Sequence, residues 1–347
     1  MIATLMAAAA AFAVTIFGSP MLIRWLRKNQ MGQHIRDDGP IEHPHTGKAG
    51  TPTMGGIAIV AAVIVGFFFA HLRRGNVAFT SAGWTLLFLI VGLGLVGFVD
   101  DYLAIRKGRN LGLRKRGKTA GILAVSVVFA VLANEWVNTP TTLSFTRPID
   151  VDLGDVGWIV WALVIIYAAS NSLNFTDGLD GLAAGSSALI FSAFVVIAFT
   201  EFRHPEIYGG VTAHQLDLAI IAAAMLGACA GFLWWNAAPA RVFMGDTGSL
   251  AIGGALGGLA LLTRTTLLLP ILAGLPLVEA LSVVAQVVSY RGFRRRVLRM
   301  APIHHHFEVG GWSEFTIIVR FWLFAAICVA LGIGIFYADF LRQGGSG

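Results

Sequence analysis

A chain of 347 residues that is 56% hydrophobic and only 13% charged has too little polar surface to coat a soluble globule, in which roughly 25% of residues are charged. This excludes a soluble cytosolic enzyme and a disordered chain. Cys229 and Cys328 sit in apolar runs and give neither a disulfide framework nor a cysteine metal site. The formal net charge of +6 does not indicate nucleic acid, because its placement follows the rules of a membrane protein.

Crossing a bilayer as a helix takes about 20 apolar residues. In chain order, such runs lie at 3–25, 54–72, 83–101, 119–137, 156–173, 181–200, 216–235, 249–263, 267–290 and 314–338. These predict an all-α polytopic membrane protein of about ten transmembrane helices, one integral membrane domain over 1–347 with a flexible tail at 343–347. The eighth run is short and glycine-rich. The ninth carries Pro270 and Pro276, so a broken or bent helix is expected there. The first run lacks a basic segment before it and is followed by Arg24, Arg27 and Lys28, which reads as a retained span rather than a signal peptide. Loops 24–53, 102–118, 236–248 and 291–313 hold 18 of the 25 Lys and Arg residues. The positive-inside bias places those loops in the cytoplasm and both termini outside.

Acidic groups at or within spans are costly, so their positions carry information. Asp100 and Asp101 close the third run. Asn171, Asn174, Asp177 and Asp180 follow the fifth, with Gly178 and Gly181 marking a break where backbone can approach a ligand. Asp246 lies between the seventh and eighth runs, and His304, His305 and His306 between the ninth and tenth. All of these map to the cytoplasmic face, among most of the basic residues. Carboxylates, histidines and lysines mixed on one membrane face suit a magnesium–phosphate site, with Lys48, Arg114 and Lys118 as phosphate contacts.

Plainer readings stand beside these. Asp100 and Asp101 could solvate the interface, and most of the basic residues could orient the chain or meet anionic head groups. Three consecutive helical histidines point about 100° apart, so one zinc ion could not take all three. Phe243 is either core or a stacking platform for a nucleobase. Glu279, inside the ninth run, is either a structural partner or part of the site.

The strings GTPTMGG (50–56), VDDY (99–102), NSLNFTDGLDGL (171–182), NAAPARVFMGDTGSL (236–250) and PIHHHFE (302–308) together resemble the polyprenyl-phosphate N-acetylhexosamine-1-phosphate transferases. They span nearly the whole chain in the family's order. The histidine string and PTMGG are closer to the branch that uses UDP-N-acetylmuramoyl-pentapeptide than to the N-acetylglucosamine-1-phosphate branch. The resemblance implies attack of undecaprenyl phosphate on that donor, with release of UMP and formation of lipid I, the first membrane step of peptidoglycan synthesis. It implies a bacterial plasma-membrane enzyme among membrane lipids, with Mg²⁺ as cofactor, a cytoplasm-facing site and a homodimeric state.

Residue roles follow from the same resemblance. Asp246 would hold Mg²⁺, Asp100 would take the proton of the lipid phosphate, and Asp101 would support either. His304, His305 and His306 would join this catalytic group. Lys48, Thr53, Lys118, Asn174, Asp177, Gly178, Leu179, Asp180, Asn236 and Phe243 would bind substrate, with Gln286 a weaker member. A direct attack and a covalent aspartyl-phosphate route both remain open. A transporter with intramembrane carboxylates and a sister transferase using another UDP-sugar are the competing classes.

Overall fold

The computed structural model describes residues 1–32, 50–72, 77–107, 112–209 and 212–344. Its helices are α1 (Ile2–Lys28), α2 (Gly56–His71), α3 (Ser81–Arg106), α4 (Lys115–Glu135), α5 (Gly154–Thr176), α6 (Leu182–Arg203), α7 (Pro205–Tyr208), α8 (Thr212–Asn236), α9 (Gly245–Leu262), α10 (Leu269–Leu272), α11 (Gly274–Phe293), α12 (Ile303–Val309) and α13 (Glu314–Gly344). Helix overlies each of the ten apolar runs. Among the described residues, seven helices are long and apolar enough to cross a membrane: α1, α3, α4, α5, α6, α8 and α13.

Helix α9 forms the axis of the bundle. Every residue from Thr247 to Leu262 is buried, which its small side chains permit. Its longest contacts are with α3 and α5, while α1 and α6 flank α8. The approach at the start of α9 is close. A β-carbon on Gly97 of α3 would stand 2.1 Å from the Asp246 carbonyl oxygen, and one on Gly56 of α2 would stand 2.0 Å from the Gly248 nitrogen. Glycine at both positions lets α9 sit wedged between α2 and α3.

The expected break in the ninth run falls at Ala273, between α10 and α11. Pro270 and Pro276 each occupy the first turn of one of the two helices. A missing N–H removes no helical hydrogen bond there.

One element departs from the all-helical expectation. Strands β1 (Thr142–Ser144) and β2 (Pro148–Asp152) form an antiparallel hairpin, pairing Thr142 with Asp152 and Ser144 with Pro148. The segment between α4 and α5 is too short to span a membrane and rich in Thr, Ile and Val, which favour extended backbone. Arg147 fastens the hairpin to α13, donating to both oxygens of Asp339 at 2.8 and 3.1 Å.

Helix α3 begins at a buried polar knot. Thr80 caps it, its hydroxyl accepting from the Gly83 N–H at 3.1 Å. Asp217 of α8 accepts from the Thr80 N–H at 2.9 Å and from the Thr80 hydroxyl at 2.7 Å. Its other oxygen lies 3.0 Å from Nε2 of His71, whose ring stacks on Phe79 at 4.0 Å.

Candidate active site

The opposite end of α3 delivers Asp100 and Asp101 to the start of α9. Asp101 is buried, and both its oxygens accept from the first turn of α9: the Asp246 N–H at 3.0 Å, the Thr247 N–H at 2.9 Å and the Thr247 hydroxyl at 2.6 Å. An anion at a helix N-terminus satisfies unpaired donors and complements the helix dipole. Asp101 therefore sets the position of Asp246. Asp100 accepts from the Leu113 N–H at 2.8 Å, and its carboxyl is within hydrogen-bonding reach of Asp246.

Asp246 collects partners from two further helices. Lys118, in the first turn of α4, donates to one of its oxygens, and Asn174, in the last turns of α5, donates to the other. Asn174 also donates to the Ser249 hydroxyl at 2.9 Å. Asp100, Asp101 and Asp246 each offer an oxygen, and these oxygens all lie within 4.8 Å of one another. Three carboxylates so close cannot all stay ionised without compensation, and the Lys118 ammonium supplies one charge. Hard carboxylate oxygens beside an excess of negative charge fit a hard divalent cation.

The loop after α5 closes this site. Asp177 lies beside the Gly245 N–H, which favours its ionised form. Desolvation raises its carboxyl well above the usual range, and the charges of Asp246, Asp101 and Asp180 push the same way. Asp180 accepts from the Ala240 N–H at 2.9 Å, and its own N–H donates to Glu314 at 3.1 Å. Two strings distant in sequence pair through their backbones. The Phe243 N–H donates to Pro52, while the N–H groups of Gly55 and Gly56 donate to Phe243 and Met244, each at 2.8 Å. Buried Thr53 thereby lies beside Gly245, its hydroxyl 3.1 Å from where a β-carbon would stand there.

Residues 83–264, which contain Asp100, Asp101, Asp177, Asp180 and Asp246, match Glycosyl transferase family 4. Residues 48–60 match the phospho-N-acetylmuramoyl-pentapeptide-transferase signature 1. The chain is 48% identical to the phospho-N-acetylmuramoyl-pentapeptide-transferase of Frankia casuarinae, over 98% of this chain and 99% of the relative. It is 49% identical to that of Saccharopolyspora erythraea, over 97% of each, and 48% identical to that of Streptomyces griseus, over 98% and 99%. The chain belongs to the phospho-N-acetylmuramoyl-pentapeptide-transferase family.

Against the expectations for this transferase family, the remaining residues divide. Asp100, Asp101, Lys118, Asn174, Asp177 and Asp246 lie together at the start of α9. Lys48 lies outside the described residues. Asn236 has both amide atoms occupied, accepting from the Gly181 N–H at 3.1 Å and donating to the Val242 carbonyl at 3.0 Å. Gln286 accepts from the Val297 and Leu298 N–H groups at 3.0 and 2.9 Å and donates to the Leu298 carbonyl at 3.1 Å. These two amides shape loops. Phe243 is half-buried between the paired strings, and Leu179 is buried.

The histidines also differ from one another. His304 is fully buried against Glu279, with Nδ1 and Oε2 3.0 Å apart. His305 lies 2.8 Å from Glu308, and His306 accepts from the Arg299 N–H at 3.0 Å. Sequence reasoning passed over Thr247, Ser249 and Glu314. Their contacts cross 134 residues in the case of Glu314, and nothing in the local strings singles them out.

Proposed function

We propose that this protein transfers phospho-N-acetylmuramoyl-pentapeptide from its UDP conjugate to undecaprenyl phosphate, yielding lipid I and UMP. The convergence of Asp100, Asp101 and Asp246 on Lys118 and Asn174 carries this reading, and the substrate is that of the relatives' name. Two phosphate groups bearing several negative charges have to meet, so the site must neutralise them in a poorly solvating medium. Asp246 is the residue to hold Mg²⁺, with Asp101 fixing its backbone. Mg²⁺, when bound, supplies Lewis-acid neutralisation of the diphosphate. Asp100, half-buried and oriented by the Leu113 N–H, accepts the proton of the lipid phosphate, whose second pKa near 6 makes this a small demand.

Lys118 contacts the phosphates beside Asp246, Thr53 lies on the same side, and the family resemblance gives Lys48 a phosphate-binding role. Asn174 orients Asp246. The Asp177–Asp180 loop, Asn236 and Phe243 receive the uridine end, and the histidines with Gln286 border the sugar. The excess of Lys and Arg in one set of loops supports a site on the cytoplasmic face of a bacterial plasma membrane, with the termini outside. The apolar runs support ten spans, and the family resemblance supports a homodimer.

Supplying the purified protein with undecaprenyl phosphate and each UDP-sugar in turn tests the assignment. UMP release is expected with UDP-N-acetylmuramoyl-pentapeptide, and is expected to vanish with EDTA and return with Mg²⁺. Release only with another UDP-sugar would make it a sister transferase, and none with any donor would leave a transporter.

A further inference from the structure

Building on the donor reading above, we propose that Glu279 is a positioning residue. It holds the His304 ring so that the Nε2 edge props the Asp177–Asp180 loop at Gly178. The observations are geometrical. Glu279 lies in α11 and His304 in the first turn of α12, and both side chains are 0% exposed. A carboxylate only accepts, so the short contact to Nδ1 places the ring proton there. The other nitrogen, Nε2, is buried and has no hydrogen-bond partner. It faces the loop backbone: a β-carbon on Gly178 would stand 2.3 Å from Nε2 and 2.7 Å from Cε1. Ring and loop are thus in contact, and only glycine at 178 admits the ring.

The support behind the ring is rigid. The Ser282 hydroxyl donates to the Glu279 carbonyl at 2.6 Å and accepts from the Ile303 N–H at 2.9 Å, tying α12 to α11. On the far side, the loop is held by Glu314 at Asp180 and by Asn236 at Gly181. Gly178 is the third support, and it is the one that reaches into the broken ninth run. A ring released from Glu279 loses both its fixed tautomer and its orientation, and the loop that receives the nucleotide loses its prop.

The test uses the full-length protein with Glu279→Leu, Glu279→Gln and Gly178→Ala. It reads steady-state UMP release against each substrate, together with the ¹⁵N spectrum of labelled histidine. E279L is expected to raise the KM for the UDP-sugar about tenfold, the usual order for loss of an outer-shell partner, with kcat and the KM for the lipid nearly unchanged. E279Q, whose amide oxygen still accepts from Nδ1, should recover most of that loss, and G178A should reproduce it. His304 should carry its proton on Nδ1 in the parent and E279Q, and on Nε2 in E279L.

An E279L that loses thermal stability but keeps the donor KM would make the pair a mere strut and overturn the proposal. So would a parent spectrum with the His304 proton on Nε2. If E279L does not fold, an unchanged donor KM in G178A is the overturning result. If the parent releases no UMP with any donor, the donor reading falls, while the histidine spectrum still decides what Glu279 does to the ring.

Discussion

Helix α3 has a buried acidic neighbourhood at each end, about 30 Å apart at 1.5 Å per residue, and the two are built on opposite terms. At its start, the single carboxylate of Asp217 meets two donors from Thr80 and the ring of His71. At its close, three carboxylates crowd within 4.8 Å of one another, with the ammonium of Lys118 to offset them. Burial alone therefore does not mark a working acid. A fully paired buried charge rigidifies the fold, whereas a cluster with more carboxylates than cations suits a place that a further cation or charged ligand can complete.

Asp246→Asn should show the contrast most strongly. UMP release is expected to fall by about 10³-fold, the order seen when a preorganised electrostatic group is removed, while the folded protein keeps its thermal midpoint. Near-parental turnover would remove Asp246 from the chemistry. Lys118→Met should lower turnover by about 10²-fold and steepen the dependence on added Mg²⁺, since it withdraws the cluster's resident cation. An unaltered Mg²⁺ requirement would sever that link.

Asp217→Asn tests the other end. Leaving buried His71 without its carboxylate should destabilise the protein by about 3 kcal/mol, read as a lowered thermal midpoint, with turnover per folded molecule preserved. Lost turnover without lost stability would erase the distinction between the two ends. Thr80→Ala should have the smallest effect, about 1 kcal/mol for a lost helix cap, and again none on UMP release.

The helical course of the chain was legible because long apolar runs have few alternatives in a bilayer. The break at 267–290 was legible because proline has no N–H to donate. The acidic cluster was legible as a set of costly residues at run ends, but its internal order was not. That Asp101 caps α9 while Lys118 grips Asp246 depends on contacts across 128 to 146 residues, which no local spacing encodes. Asn236 and Gln286 stand among the expected substrate-binding amides, and the string does not reveal that each also bonds backbone, Asn236 at Gly181 and Val242 and Gln286 at Val297 and Leu298. The three histidines read alike until one of them turns inward to Glu279. The knot of His71, Thr80 and Asp217 went unread because two of its members lie beside an ordinary loop.

The wedge of α9 between Gly56 and Gly97 limits where this lineage is free to drift. A methyl group at either glycine would meet main-chain atoms about 2 Å away, so the change would shift Asp246 itself. Resistance to an inhibitor of this centre would then have to arise in the surrounding loops, where replacing a side chain leaves the backbone of Asp246 in register.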